Sequence, residues 1–372
     1  MLYKSFEEIQ EAREVISPPG DTLLTILEER SISQVDLALR MNKHKKTINE
    51  IIKGIAPITP DTAIELERTL GVPSEFWIER EKRFRLQLAE INEAEKLLKD
   101  KEWIKSFPLS EMKKLGMIEF DNDPYSKISS LLNFFGVTSK VAYEQYYNRL
   151  NVHFRMSKKT NINSDALRSW LRSGDLKARE THVNTYSEKK LKESIVAFTE
   201  IMITKEANFF NDLQSLCGEC GISLVYTPNL PKAPISGSVR WYRDRPLIQL
   251  SNRYKRNDIF WFTFFHELGH ILKHGKKDFF IEGVEYSDEG EIKEKEADQF
   301  ASECLLSKHD MDVILKSSSF EKEHIFHFAN EYRTLPAVII GRIAHLTEDN
   351  HQRKLISQYG WSEGLFKKVE LV

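Results

Sequence analysis

The sequence predicts a multidomain, mainly α protein with an N-terminal all-α domain, a helical middle region and a C-terminal α+β domain carrying a small sheet. Three observations carry that expectation. Residues from Gly20 to about Arg85 read as five short helices separated by tight breaks, and the chain from Trp103 to Ile203 keeps helical patterning with few glycines. Strand-length runs then appear at Gly221–Pro228, Ser236–Tyr242 and Pro246–Ser251, ahead of an apolar helical stretch that holds two histidines four residues apart. The expected divisions are a lead segment 1–19, an all-α domain 20–95, a helical linker or sensor region 96–194 and the α+β domain 195–372.

Composition narrows the class. A chain of 372 residues suits two or three domains, and 41% hydrophobic with 30% charged residues is the balance of a globular protein rather than a disordered one. The formal net charge of −2 gives no global attraction for nucleic acid, so any such contact must come from a local basic patch. No apolar run approaches the roughly 20 residues of a membrane span, and Met1–Glu8 lacks the apolar core of a signal peptide. These features predict a cytoplasmic protein with no membrane partner. Three cysteines exclude a disulfide framework; Cys217 and Cys220 read as small apolar residues near the end of a helix that stops before Gly221, and Cys304 stands alone.

The N-terminal elements follow from their caps. Asp21 is positioned to cap Thr22–Arg30, and Ser33 to cap Gln34–Met41 with Asp36 at the capping-box position. A short turn at Asn42-Lys43 leads to a helix through Lys46–Lys53, closed by Gly54. Two short helices about a tight turn form a helix-turn-helix, in which the start of the second helix meets base edges in the major groove. His44, Lys45, Lys46, Thr47 and Asn49 hold those positions; Lys43 adds charge, as do Arg40 and Lys53, and Gln34 can reach a backbone phosphate. Ile48, Ile51 and Ile52 face inward. The implied partner is a double-stranded DNA operator, read by a homodimer through two half-sites. Pro57–Leu70 reads as a further capped helix ended by Gly71, and Ser74 opens a charged helical stretch to about Lys101, with Trp77 in a core or a dimer interface. The middle region shows neither an internal repeat nor a catalytic constellation.

Chemistry concentrates in Phe262–Leu272. Its His-Glu-x-x-His pattern puts His266 and His270 on one helix face, where they can grip one Zn²⁺ while Glu267 serves as general base toward the water that the metal activates. A third ligand must come from elsewhere. The helical segment Glu291–Ala301 offers Glu296, which adjoins the apolar stripe of Ala297, Phe300, Ala301 and Leu305, whereas Glu291 and Glu294 are expected on the solvated side. Asp298 is either an acceptor that orients a ligand imidazole or a plain surface carboxylate. His274 is a weaker candidate ligand, because three groups along one straight helix cannot surround a tetrahedral ion; it reads as a helix end with Gly275 as its left-handed cap. An oxyanion stabiliser is not legible, Tyr286, Arg240 and His309 being candidates. Ser236–Trp241 is a candidate edge strand for an extended peptide.

Residues 20–80 resemble the HigA-type branch of the XRE (lambda-repressor-like) helix-turn-helix family in Ser33-Gln34, in Lys46–Gly54 and in Ala56–Ala63. Residues 195–345 resemble the ImmA/IrrE metallopeptidase family in Gly237–Trp241, Phe262–His270, Glu296–Ala301 and Val338–Ile343. The resemblance implies a zincin-like metallopeptidase domain in which His266, His270 and Glu296 bind zinc and Glu267 is the base. It implies two biological settings. In one, a DNA-binding transcriptional regulator hydrolyses a protein or peptide substrate, such as a helix-turn-helix repressor, to control its own operon or a stress or mobile-element response. In the other, a repressor and antitoxin binds a cognate toxin, and its zinc domain is sensory or idle. Ser307 departs from the proline that many members carry after the Leu-Leu pair, which is expected to touch only a helix end.

Overall fold

The computed structural model describes residues 5–151, 163–204, 209–253, 256–275, 280–281, 288–317 and 320–369. The chain forms two compact units, one of residues 1–105 with 119–133 and one of 106–118 with 134–372. The segment 96–194 is thus divided between the two.

The first unit is built from α1 (Phe6–Val15), α2 (Pro19–Glu29), α3 (Gln34–Arg40), α4 (Lys45–Ile52), α5 (Pro60–Leu70) and α6 (Ser74–Lys99). Helix α2 starts earlier than the Asp21 cap suggested, because Pro19 at the first helical position needs no N–H partner. Ser33 does cap α3: the Asp36 backbone N–H donates to Ser33 Oγ at 3.1 Å, and the Ser33 N–H donates to the Asp36 carboxylate at 3.3 Å. Gly54 and Gly71 end their helices at φ +68° and +64°, a conformation that a Cβ disfavours. Leu23, Leu27, Leu37, Ile48, Ile51, Leu66 and Trp77 form one core, so Trp77, at 0% exposure, is interior rather than interfacial. The lead segment has structure of its own. Ile9 of α1 packs on Ile91, Ala94 and Leu98 of α6, and Arg13 bonds Glu95 at 2.8 Å.

After a 3-10 turn at Trp103–Ser106 come α7 (Leu109–Lys114), in the second unit, and α8 (Pro124–Phe135), nearly all of which belongs to the first. The second unit continues with α9 (Lys140–Asn151), α10 (Ser164–Glu180), α11 (Glu188–Glu193), α12 (Ile195–Thr204) and α13 (Phe209–Cys220). Next are β1 (Ser223–Tyr226), β2 (Gly237–Tyr242), β3 (Arg245–Leu250), α14 (Asn257–Lys273), β4 (Phe280–Ile281) and α15 (Asp288–Leu305). Helices α16 (Lys308–Leu315), α17 (Lys322–Glu331), α18 (Pro336–Leu346) and α19 (Asn350–Ser362) complete it. Ser307 is the N-cap of α16, its side chain accepting from the Asp310 N–H, so the departure from proline falls at a helix start.

The sheet order is β1-β3-β2-β4, with β1 parallel to β3 and β2 antiparallel to both neighbours. This overturns the edge-strand expectation for Ser236–Trp241. Strand β2 pairs along its length with β3, and Ser238 and Val239 also pair with Ile281 and Phe280. Alternation along β2 then sends side chains to two layers. Val239 joins the core that contains Phe264, Phe265 and Leu268 of α14. Arg240 turns the other way, reaching Asp175 Oδ1 at 2.7 Å and the Leu171 carbonyl at 2.9 Å on α10, while Gln249 Nε2 donates to the Trp170 carbonyl at 2.7 Å. The sheet is therefore covered by α14 on one face and α10 on the other. Cys217 and Cys220 lie in the core of this unit.

Gly20 tests the helix packing of the first unit. A Cβ there would fall against the carbonyl and Cα of Ile52, backbone atoms that cannot yield. Gly20→Ala is expected to cost about 3 kcal/mol and, in hydrogen exchange followed by mass spectrometry, to lower protection across residues 23–77 while leaving residues 217–340 unchanged.

Candidate metal centre

Helix α14 is buried nearly all round, which is unusual for a helix that carries a glutamate and two histidines. Phe260, Trp261, Phe264, Phe265 and Leu268 hold it in the core, and His266, Glu267 and His270 on the same helix are buried polar side chains. Helix α15 crosses close by, because Gly269 meets Ala297: a Cβ on Gly269 would lie 3.1 Å from the Ala297 Cα. Ala297 and Ala301 are both fully buried at this contact.

Residues at i−3 and i+1 from Ala297 flank that contact, and they are Glu294 and Asp298. Glu294 Oε2 lies 3.2 Å from His266 Nε2, and its Oε1 lies 3.5 Å from His270 Nε2. The two Nε2 atoms are 2.9 Å apart, and the three donor atoms all lie within 4.8 Å of one another. Asp298 Oδ1 is 2.9 Å from His266 Nδ1. The structure thus departs from the expectation for Glu296: it brings Glu294, not Glu296, within reach of both Nε2 atoms as the third candidate ligand. Glu296 sits on another side of α15, with Oε2 2.9 Å from His274 Nε2, and His274 Nδ1 is in turn 3.0 Å from His270 Nδ1. Sequence reading sent Glu294 to solvent because it ranked glutamates by nearness to the apolar stripe. The usable signal was the i, i+4 pair Glu294 and Asp298, which shares a face with Ala297 and Ala301.

Gly275 is also corrected as a left-handed cap. His274 itself ends α14 in an extended conformation, φ −118° and ψ 159°, and Gly275 is not among the positive-φ glycines. Phe280 of β4 stacks on the His270 ring, centroids 3.8 Å apart at 12°.

The protonation states suit a cation. Burial pushes His270 down to about 4, leaving its imidazole neutral near pH 7. Burial alone would raise Glu294, but its hydrogen bonds to His266 and His270 hold it at about 2. A neutral imidazole and an ionised carboxylate are the forms that ligate a metal. Two imidazole nitrogens and one carboxylate fit a zinc-type centre that keeps a fourth position open.

Glu267 is 0% exposed, and the backbone of β2 is packed onto it: a Cβ on Gly237 would lie 2.5 Å from Glu267 Oε1 and 2.7 Å from Thr263 Cγ2. From sequence Gly237 reads only as part of a strand motif and His274 only as a weaker ligand candidate and helix end; the close approach of Gly237 to Glu267 comes from the packing of β2. Of the oxyanion candidates, Arg240 is removed, since it points to the α10 face and is committed to Asp175. His309 is exposed on α16, and Tyr286 lies outside the described residues.

In the first unit, Ile48, Ile51 and Ile52 bury one face of α4, which turns Lys45, Lys46 and Asn49 outward beneath the exposed N-cap His44. Lys46 is 84% exposed, with Glu50 Oε1 3.8 Å away. Thr47 is half-buried, as is Gln34 at the start of α3. Lys43 is tied to Glu65 at 2.8 Å and offers less free charge than its position suggested.

Fold and site together define a two-part protein, a helix-turn-helix unit joined to a metallopeptidase-type domain. Residues 23–77 match the helix-turn-helix family, which indicates DNA-binding regulation. Residues 217–340 match the IrrE N-terminal-like domain, a metallopeptidase family. No curated protein matches the chain. Among the described residues no helix is long and apolar enough to cross a membrane.

Glu294→Ala is expected to abolish tight binding of one divalent metal per chain, whereas Glu296→Ala keeps that stoichiometry under metal excess. Metal analysis after gel filtration of each purified variant separates the two.

Proposed function

We propose that this protein is a DNA-binding transcriptional regulator whose C-terminal domain is a zinc-dependent endopeptidase acting on a protein or peptide, a helix-turn-helix repressor or the chain itself being the substrates of choice. The observation that carries this reading is the convergence of His266, His270 and Glu294 beside Glu267. Asp298 supports it by fixing His266 through the ring nitrogen that a metal does not use.

When bound, zinc supplies Lewis-acid polarisation of the scissile carbonyl and lowers the pKa of a water toward about 7. The chain's own residues do the remainder. Glu267 takes a proton from the attacking water at its carboxylate and returns it to the leaving amine nitrogen. Gly237 fixes where that carboxylate sits, because a β2 residue without a side chain lets the strand backbone approach it. Burial of the pocket keeps His270 neutral and strengthens each charge-dependent contact within it.

A second reading is a HigA-like repressor and antitoxin that binds a cognate toxin, with the metal domain sensory or idle. Complete burial of Glu267 favours it, since a general base must meet water during turnover. For either reading the amino-terminal unit grips an operator through His44, Lys45, Lys46, Thr47 and Asn49 of a homodimer.

Glu267→Gln is the deciding variant. Under the peptidase reading it keeps zinc but lowers cleavage of itself or of co-expressed neighbouring proteins by about 10²–10⁴-fold; zinc in both proteins with cleavage in neither would leave the antitoxin reading. Separately, Lys46→Ala with Asn49→Ala is expected to weaken operator binding at least about tenfold and to flatten its salt dependence. Unchanged affinity in a fluorescence-anisotropy titration would refute the placement of α4 in the groove.

A further inference from the structure

We propose that His274 and Glu296 are positioning residues for His270, fixing the imidazole tautomer that presents a bare Nε2 to the metal. The inference rests on the proposed metal centre and assigns two residues that hold no ligand place in it. His270 Nε2 faces His266 and Glu294, while its Nδ1 lies 3.0 Å from His274 Nδ1; His274 Nε2 then lies 2.9 Å from Glu296 Oε2.

Proton bookkeeping along this line has one consistent solution for neutral rings. The Glu296 carboxylate can only accept, so the His274 proton resides on Nε2. That leaves His274 Nδ1 as an acceptor, so His270 must donate from Nδ1–H. The second His270 nitrogen, Nε2, then carries the lone pair on the side of His266 Nε2 and Glu294. Reversing the chain would set a bare His274 nitrogen against a carboxylate at 2.9 Å and would put the His270 proton on the nitrogen that must ligate. A carboxylate two imidazoles away thus selects the ligating tautomer.

The other ligand histidine has the same support in shorter form, with Asp298 directly on His266 Nδ1. The two arms differ because of the helix end. His274 ends α14 in an extended conformation, so its ring, 3% exposed, swings back along the helix between His270 and α15. Phe280 stacked on His270 holds the ring plane, leaving its tautomer as the remaining freedom. Glu296 is 53% exposed, so its bond to His274 is not explained by a need to satisfy a buried charge.

Zinc affinity of the full-length protein, measured by competition with a chromophoric chelator, tests this. His274→Leu and Glu296→Ala are each expected to weaken zinc binding by about 10- to 100-fold at unchanged stoichiometry, and the double variant is expected to be no weaker than His274→Leu alone. His274→Asn, whose Oδ1 stands where Nδ1 stood and still accepts, is expected to restore affinity to within about threefold of native. Glu296→Gln keeps an accepting oxygen and behaves likewise. Glu296 is at the surface, so its replacement tests the idea even where His274→Leu disturbs folding. Native affinity in Glu296→Ala and His274→Leu, or additive losses in the double variant, would overturn the positioning role while Glu294→Ala still loses zinc. Native affinity in Glu294→Ala would instead overturn the metal centre, and this inference with it.

Discussion

The close crossing of α14 and α15 at Gly269 and Ala297 is the contact on which the site depends. A larger residue at either position would separate the helices, and the carboxylates that face the histidines are one turn or less from that contact. Sub-ångström changes in helix separation would carry Glu294 away from both Nε2 atoms, since its carboxylate spans distances of only 3.2 and 3.5 Å to them. The small residues are therefore part of the site's geometry although they have no chemistry of their own. The same logic holds on the opposite side of Glu267, where Gly237 lets β2 approach the carboxylate.

The sheet behind the site is covered on both sides. Helix α14 lies on one face, and on the other α10 is fastened through buried Arg240, which bonds Asp175, Ser238, Gln249 and the Leu171 carbonyl. A buried guanidinium tolerates that position only because its donors are met and its charge is paired; losing one partner of such a pair costs about 3–5 kcal/mol. Residues read from sequence as a linker or sensor thus include a structural layer of the second unit. Strand β2 bears both roles by alternation, with Gly237 toward the base and Arg240 toward α10.

What was legible in the sequence were the features that depend on local chemistry. The Ser33 and Asp36 capping box, the glycine stops at 54 and 71, the three strand runs and the histidine pair at i, i+4 each arise from a few adjacent residues, and the structure has them at those positions. The errors arose where a choice depended on which helix face meets which neighbour. Glu294 and Glu296 are two residues apart with similar flanks, and only the crossing at Ala297 decides between them. Strand β2 looked like an edge because its partner β4 is only two residues long and comes after α14 in the chain. The α1 helix was missed because its single fully buried apolar residue, Ile9, gives almost no periodic signal. Its partner residues lie more than 80 positions later.

Under the operator-binding reading, the charge of α4 bears on the oligomer. Lys43 is held by Glu65, and Glu50 stands 3.8 Å from Lys46. The free positive charge at the start of the helix is then chiefly Lys45 and the outer part of Lys46, aided by the unsatisfied N–H groups and dipole of the helix N-terminus. Each neutralised phosphate contributes to affinity through counterion release, so one copy with so few contacts binds DNA weakly at physiological salt. Two copies on adjacent half-sites double the phosphate contacts and hold the second unit near its site at high effective concentration. A net charge of −2 over the whole chain works against any longer-range attraction that could substitute for this. Under that reading, paired copies supply the phosphate contacts that one α4 N-terminus lacks.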